Sequence, residues 1–282
     1  MRNFTQNDAL IPSYRTMKYE QISPPPYLKN YVRYFWVLES DGTSEPAKKL
    51  LPLADGCPGI IFQHSSVGSF SDSAHEHLPE IFLYGQTVKP TELNLGGQFK
   101  TFGVCFYPYT LKSMFGFDAS ELTDSCVDLT LLVNNFKEPL LNASSLKNQI
   151  DTFSTHLDCH IKKSSYRIDH ATEYALSEIV QAKGNLPLRD LQRKLKLSER
   201  GFQRSFNQHV GISPKLFSRV CRFQAALRQL KNNNYANLSD VAFDNGYADQ
   251  SHFIRSFKEF AGFSPNQFQK RDRKIAENFS VI

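Results

Sequence analysis

The sequence predicts an α+β protein: a β-rich N-terminal domain of sandwich or barrel type that also carries helices, followed by an all-α domain. Three observations predict it. Short apolar runs separated by turn signals fill the first third of the chain. After Pro108 the apolar spacing changes from strand-like to three and four residues. Near the C-terminus, "GFQRSFNQHVGISPKLF" (201–217) returns as "HFIRSFKEFAGFSPNQF" (252–268). With 282 residues and 40% hydrophobic content, the chain can bury a core in each of two domains.

The β-type runs are residues 31–40, 49–53, 59–64, 80–85, 91–97 and 101–108, most of them rich in β-branched and aromatic side chains. Asp55-Gly56, Pro58-Gly59 and Gly96-Gly97 punctuate them. Gly68 to His77 is polar and reads as a loop. Residues 110–117 read as a short helix, and 145–161 and 165–184 as amphipathic helices, with Gly184 as a stop. The expected division is residues 1–165 for the β-rich domain and 166–282 for the helical one.

In the first copy, Leu188, Leu191 and Leu195 share one helix face, and a break follows at Lys196-Leu197. Ser198 then caps a second helix in which Phe202, Phe206 and Val210 face inward. Arg200, Gln203, Arg204 and Asn207 are left outside. Gly211 ends this helix, and Ser213-Pro214 opens the next, Ser as cap and Pro at the first position, where its missing N–H costs nothing. The second copy has a first helix at 238–247 ending at Gly246, Asp249 as the cap, and Phe253, Phe257 and Phe260 inward. Gln250, Ser251, His252, Ile254 and Arg255 occupy the start and outer face. Its turn is one residue longer: Val241 to Phe253 is twelve steps, Leu191 to Phe202 eleven.

Two short helices joined by a tight turn, the second with an Arg-bearing polar face, form a helix-turn-helix. Arg, Gln and Asn are the side chains that pair bidentately with guanine and adenine edges in the major groove. Residues 213–233 read as one helix joining the two units. At 1.5 Å per residue, about 19 residues span about 28 Å, the order of the roughly 34 Å between successive major grooves. Charge agrees with a polyanionic partner. From Ile179 to Ile275 there are 18 Lys and Arg against 7 Asp and Glu, net +11; the remainder has 15 against 21, net −6.

Residues 180–270 resemble the AraC/XylS-type DNA-binding domain. The resemblance rests on Leu191, Phe202-x-Arg204-x-Phe206, Gly211-x-Ser213-Pro214, Arg222-Phe223-x-x-Ala226, Val241-Ala242, Gly246-Tyr247-x-Asp249-x-Ser251-x-Phe253-x-Arg255-x-Phe257-Lys258 and Gly262-x-Ser264-Pro265. Gln192 departs from the pattern, which has a small residue there, as at Ala242 in the second copy. The resemblance implies a bacterial transcription regulator binding promoter DNA through two helix-turn-helix units. Its base-reading residues would be Arg200, Gln203 and Arg204 in the first unit, with Asn207 on the same face. In the second they would be Gln250, Ser251, His252 and Arg255, with His252 equally suited to phosphate. Residues 51–62, 84–97, 102–116 and 119–129 are similar to a sensing or dimerisation domain that precedes this module in some such regulators. RNA polymerase, a small-molecule effector and a second copy of the chain are partners this leaves open.

Other chemistry is thinner. "HEHLPE" (75–80) offers His75, His77 and Glu80, and the alternative reading is a cupin-like metalloenzyme fused to a DNA-targeting module. The spacing to Glu80 is short and no second half of the motif follows, so a polar surface loop is preferred. His156, Cys159 and His160 lie on one side of a helix but lack a fourth ligand. No nucleophile elbow, P-loop or Rossmann fingerprint is present. No enzyme activity, metal or cofactor is therefore expected. Tyr34, Trp36, Phe62, Tyr84, Phe102, Phe106 and Tyr107 are read first as core and second as the lining of an effector pocket. Five scattered cysteines, no apolar leader and no run of 18 apolar residues point to a cytoplasmic protein with reduced thiols.

Overall fold

The structure is a computed structural model describing residues 17–40, 48–50, 52–63, 70–71, 77–95, 98–133 and 136–270. Nine strands and ten α-helices occur among them. The strands are β1 (Met17–Ile22), β2 (Val32–Ser40), β3 (Lys48–Leu50), β4 (Gly59–Gln63), β5 (Phe70–Ser71), β6 (Ile81–Tyr84), β7 (Leu93–Leu95), β8 (Phe99–Phe106) and β9 (Cys126–Asp128). They form a six-stranded sheet in the order β1-β2-β8-β4-β6-β9 and a three-stranded sheet in the order β3-β7-β5. All pairings are antiparallel.

The central strands bury apolar side chains on both faces because both faces of the large sheet are covered. Phe35 and Val37, Ile60 and Phe62, Ile81 and Leu83, Phe102 and Val104 point into one core. There they meet Leu111 and Met114 of α1 (Thr110–Phe115), Leu140 of α2 (Lys137–Leu141), and Phe153 and Leu157 of α3 (Leu146–Lys163). The alternate residues Trp36, Leu38, Ile61 and Phe82 point the other way, onto Phe70 and Leu93 of the small sheet. Successive side chains of a strand leave opposite faces, so one run feeds two cores.

Three strands were not expected. β1 is a partly exposed edge strand, and β5 and β9 are two and three residues long. β5 corrects the reading of Gly68–His77 as a simple polar loop. Phe70 is fully buried, and its N–H donates to the side chain of Gln63 at 2.7 Å. Residues 68–69 and 72–76 of that stretch lie outside the described residues. The strands expected at 49–53 and 91–97 are shorter, Lys48–Leu50 and Leu93–Leu95.

The helical part follows a break at 164–169. The helix expected from 165 begins only at His170, as α4 (His170–Gln181), because Asp169 caps it from an extended backbone. Then come α5 (Leu188–Leu195), α6 (Glu199–Val210), α7 (Pro214–Lys231), α8 (Leu238–Asp244), α9 (Gln250–Ala261) and α10 (Pro265–Lys270). α8 stops two residues before Gly246, which takes the left-handed conformation at φ 72°. Phe202, Phe206, Phe217, Phe223, Phe253 and Phe257 are all buried in one cluster that runs through both copies.

Candidate nucleic-acid interface

Each helix-turn-helix is set by its capping chemistry. Ser198 Oγ accepts from Gly201 N at 3.1 Å, and Ser213 Oγ from Leu216 N at 3.2 Å. In the second unit Asp249 Oδ1 accepts from His252 N at 2.7 Å, and Ser264 Oγ from Gln267 N at 3.2 Å. Lys196 turns the chain in the first unit with a left-handed backbone, φ 54°. Gln192, half-buried on α5, is accommodated there without displacing Leu191 from the core.

The aromatic seam fixes which faces remain outside. Phe206 stacks edge-on against Phe202 and Phe217, each at 5.8 Å. Phe257 meets Phe223 at 5.2 Å and Phe253 at 5.8 Å. On the opposite side of α6, Arg200, Gln203 and Arg204 are exposed and Asn207 is half-buried. Gln203 donates to Glu199 Oε1 at 3.2 Å, which holds it along the helix. On α9, Gln250, Ser251 and Arg255 are exposed. Gln250 Oε1 accepts from Ser239 Oγ at 2.9 Å, tying the start of α9 to α8. His252 is half-buried, with its ring edge-on to Tyr247 at 5.4 Å and Nδ1 3.4 Å from Ala248 N. The eight sequence-predicted residues thus lie on two helices, four on each, joined by α7. At 18 residues and 1.5 Å per residue, α7 is about 27 Å long.

Residues outside the predicted set steady these helices. Arg219 of α7 pairs with Glu259 of α9 and lies over the Phe260 ring at 5.2 Å. Arg222 sits over Tyr247 at 5.9 Å. Asp169 accepts from Thr172 Oγ1 at 2.7 Å and Ser205 Oγ at 2.9 Å, with His209 Nδ1 at 3.7 Å. Burial opposes its ionised form, but these donors prevail and hold the carboxyl below its ordinary value.

The β-rich part touches both second helices at the same repeat position. Gly211 ends α6 at φ 94°, beside Ala119 O and Thr123, and Thr123 Oγ1 donates to Gly211 O at 2.7 Å. Gly262 ends α9 at φ 79°, beside Pro90. Between them, Gln224 of α7 donates to Ala54 O, and Leu53, Ala54 and Tyr109 belong to the helical core. These contacts join residues far apart in sequence, so no local pattern could have announced them.

Residues 191–271 match the family described as helix-turn-helix domain. The C-terminal module is an AraC-type helix-turn-helix domain. Residues 20–128, ahead of the AraC-type module, match a domain of unknown function, DUF6597. Over 147 residues the chain is 26% identical to an uncharacterized HTH-type transcriptional regulator of Haemophilus influenzae, covering 48% of this chain and 49% of that one. Over 108 residues it is 31% identical to the HTH-type transcriptional activator RhaS of Escherichia fergusonii, covering 38% and 34%. The chain therefore spans half or less of the length of these relatives. Among solved structures, ToxT from Vibrio cholerae superposes with a TM-score of 0.46 at 11% identity, covering 91% of this chain and 98% of that one.

Among the described residues, the other candidates form no single cluster. His75 lies outside the described residues, and Glu80 pairs with Lys137. His156 and His160 bond separately to Thr152 O at 2.8 Å and Met114 O at 3.0 Å, and Cys159 is exposed. Of the seven aromatic residues, Trp36, Phe62, Phe102 and Phe106 are core. Tyr84 borders a cavity of about 210 Å³ in the β-rich part, and Tyr107 another of about 680 Å³ against α4.

Proposed function

We propose that the protein is a sequence-specific DNA-binding regulator of transcription, inserting α6 and α9 into successive major grooves, and not an enzyme. The observation that carries this is the pair of second helices, both exposing Arg and amide side chains and both packed on one shared helix, α7, through Phe206 on Phe217 and Phe257 on Phe223. Arg200, Gln203, Arg204 and Asn207 read one half-site. Gln250, Ser251 and Arg255 read the other, with His252 placed for a base edge or a phosphate. Each good bidentate pair is worth roughly 1–3 kcal/mol of discrimination against a wrong base.

The reading divides the chain at 165/166. Supporting it, Phe153 and Leu157 of α3 pack with the large sheet, whereas Ala175, Leu176 and Ile179 of α4 pack with the helix-turn-helix units. Residues 1–165 would then be the controlling domain, acting on the two readers through the Gly211 and Gly262 contacts. A small effector in the cavity beside Ile61, Phe82, Tyr84 and Leu93 is one controlling input, and a second copy of the chain is another. RNA polymerase would be the partner of a DNA-bound regulator, and the cytoplasm its place of work. No helix among the described residues is long and apolar enough to cross a membrane.

The test is selection of bound duplexes from a random pool by the purified protein. The proposal expects one enriched motif in two parts, with binding that falls steeply as salt rises. Enrichment of no motif would overturn it.

A further inference from the structure

The pairing of β2 with β8 skips one residue between Val32 and Tyr34, so Arg33 is the extra residue of a bulge. Bulges re-aim side chains and recur beside reactive sites. Here the guanidinium is turned inward, and Arg33 Nη1 donates to Cys57 Sγ at 2.9 Å. Tyr34, the next residue, pairs with Cys105 on β8. Cys105 Sγ, Cys57 Sγ and a carboxylate oxygen of Asp55 lie within 4.8 Å of one another. Cys57 and Cys105 are both buried, yet Cys57 and Arg33 border the cavity of about 680 Å³ between the β-rich part and α4, with Lys29 at the same wall.

A neutral thiol does not need a guanidinium, but a thiolate does. Burial works against the Cys57 thiolate; the Cys105 thiol and the Arg33 cation outweigh it and hold Cys57 below its ordinary value. Burial and the hydrogen bond to Cys57 push Cys105 up, keeping it a protonated neighbour. A divalent cation at the same atoms would have to sit against the Arg33 guanidinium, so thiolate chemistry fits the cluster better than metal binding.

We propose that Cys57 and Cys105 are an oxidant-responsive dithiol, with Cys57 the thiolate that attacks a hydroperoxide and Cys105 the thiol that resolves it. In the first step the Cys57 sulfur bonds the terminal oxygen of the hydroperoxide and the O–O bond breaks. The leaving alkoxide takes a proton and departs as an alcohol, or as water when the oxidant is hydrogen peroxide. Cys57 becomes a sulfenic acid. In the second step the Cys105 sulfur attacks Cys57, the S–O bond breaks, and water leaves with the Cys105 proton. Two thiols lose two electrons, and the peroxide gains them.

Closing to the S–S bond length of about 2.05 Å requires the sulfurs to approach. That movement falls on the turn around Gly56, at φ 73°, because Cys105 is held in the sheet between β2 and β4. Leu53 and Ala54 of the same segment pack on the helical core, and Ala54 O accepts from Gln224 of α7, the helix between the two readers. Disulfide formation is therefore expected to change DNA affinity, a consequence that rests on the DNA-reading proposal.

The experiment treats the full-length reduced protein with graded hydrogen peroxide, blocks remaining thiols by alkylation and maps peptides by mass spectrometry. The proposal expects a Cys57–Cys105 disulfide before Cys126, Cys159 or Cys221 is modified. It also expects a dimedone adduct on Cys57 in C105S, and disulfide formation at least several-fold slower in R33Q. Prior oxidation of exposed Cys159 with Cys57 and Cys105 still free thiols would overturn it, as would purification with stoichiometric zinc that blocks their alkylation. The wild-type map decides even if a variant fails to fold. Binding to the selected duplex, measured reduced and oxidised, separates the two proposals. Equal binding in both states refutes the coupling to α7, and binding in neither state refutes DNA reading while leaving the dithiol result intact.

Discussion

Gly211 is one place where the helical module and the β-rich part meet, and Gly211→Ala measures that contact. A residue with a β-carbon at φ 94° costs about 1 kcal/mol or somewhat more in backbone energy. The new carbon would lie 2.9 Å from Ala119 O and 3.0 Å from Thr123 Oγ1. Relieving those contacts moves the 119–123 segment away and gives up the 2.7 Å bond from Thr123 to Gly211 O, about 1 kcal/mol more. The expected total is about 2–3 kcal/mol. Gly262→Ala is the internal control. Its backbone is equally left-handed, φ 79°, but its β-carbon would meet only Pro90 ring carbons, the nearest at 3.1 Å, and no hydrogen bond is at stake. About 1 kcal/mol is expected there. Urea titrations followed by far-ultraviolet ellipticity compare the two. Fluorescence of Trp36, the single tryptophan, reports the β-rich part separately. If Gly211→Ala costs no more than Gly262→Ala, the contact at Ala119 and Thr123 is not the stabilising junction described above.

Three further outcomes follow from the same structure. Phe257→Ala removes a fully buried ring packed on Phe223, Phe253 and Phe268 and should cost about 3–5 kcal/mol by chemical denaturation, whereas Phe257→Leu should cost much less. Arg204→Ala and Arg255→Ala leave the fold unchanged, since both side chains are exposed, but should each weaken binding to a selected duplex by roughly 1–3 kcal/mol in a salt-controlled binding assay. Burial pushes the Asp55 carboxyl up to about 6, although the Cys57 N–H and Arg33 oppose it. The folded state therefore holds this proton more tightly than the unfolded chain, and the stability it contributes is present at low pH and lost as pH rises through 6. Melting temperatures of wild type and Asp55→Asn should diverge in favour of the variant between about pH 4 and about 6, and run parallel above that.

What could be read in the sequence was what local chemistry decides. Ser198, Ser213 and Asp249 announced helix starts because a side-chain oxygen must satisfy a free N–H. The recurring Phe spacing announced the buried face, and by subtraction the face carrying Arg204 and Arg255. The strands at 32–40 and 99–106 were legible because their middle residues, Phe35 to Leu38 and Phe102 to Phe106, are mostly apolar on both sides. β1, β5 and β9 were not, since an edge strand or a two-residue strand has too few apolar positions to show a period. The Asp169 tether to Ser205 and His209, the docking of Gly211 and Gly262, and the meeting of Arg33 with Cys57 and Cys105 depend on tertiary placement. Arg33 is the clearest case. A strict alternation would have sent it to one face of β2, and only the bulge, invisible in composition, turns it onto the thiol.

The central claim is that α6 and α9 read two separate half-sites, and a protection footprint of the selected duplex with wild type, Arg204→Ala and Arg255→Ala tests it most directly. The account predicts two protected segments about one helical turn, roughly 10 base pairs, apart. Arg204→Ala should lose protection and base discrimination in one segment, and Arg255→Ala in the other. A single protected segment, or the same segment weakened by both substitutions, would contradict it.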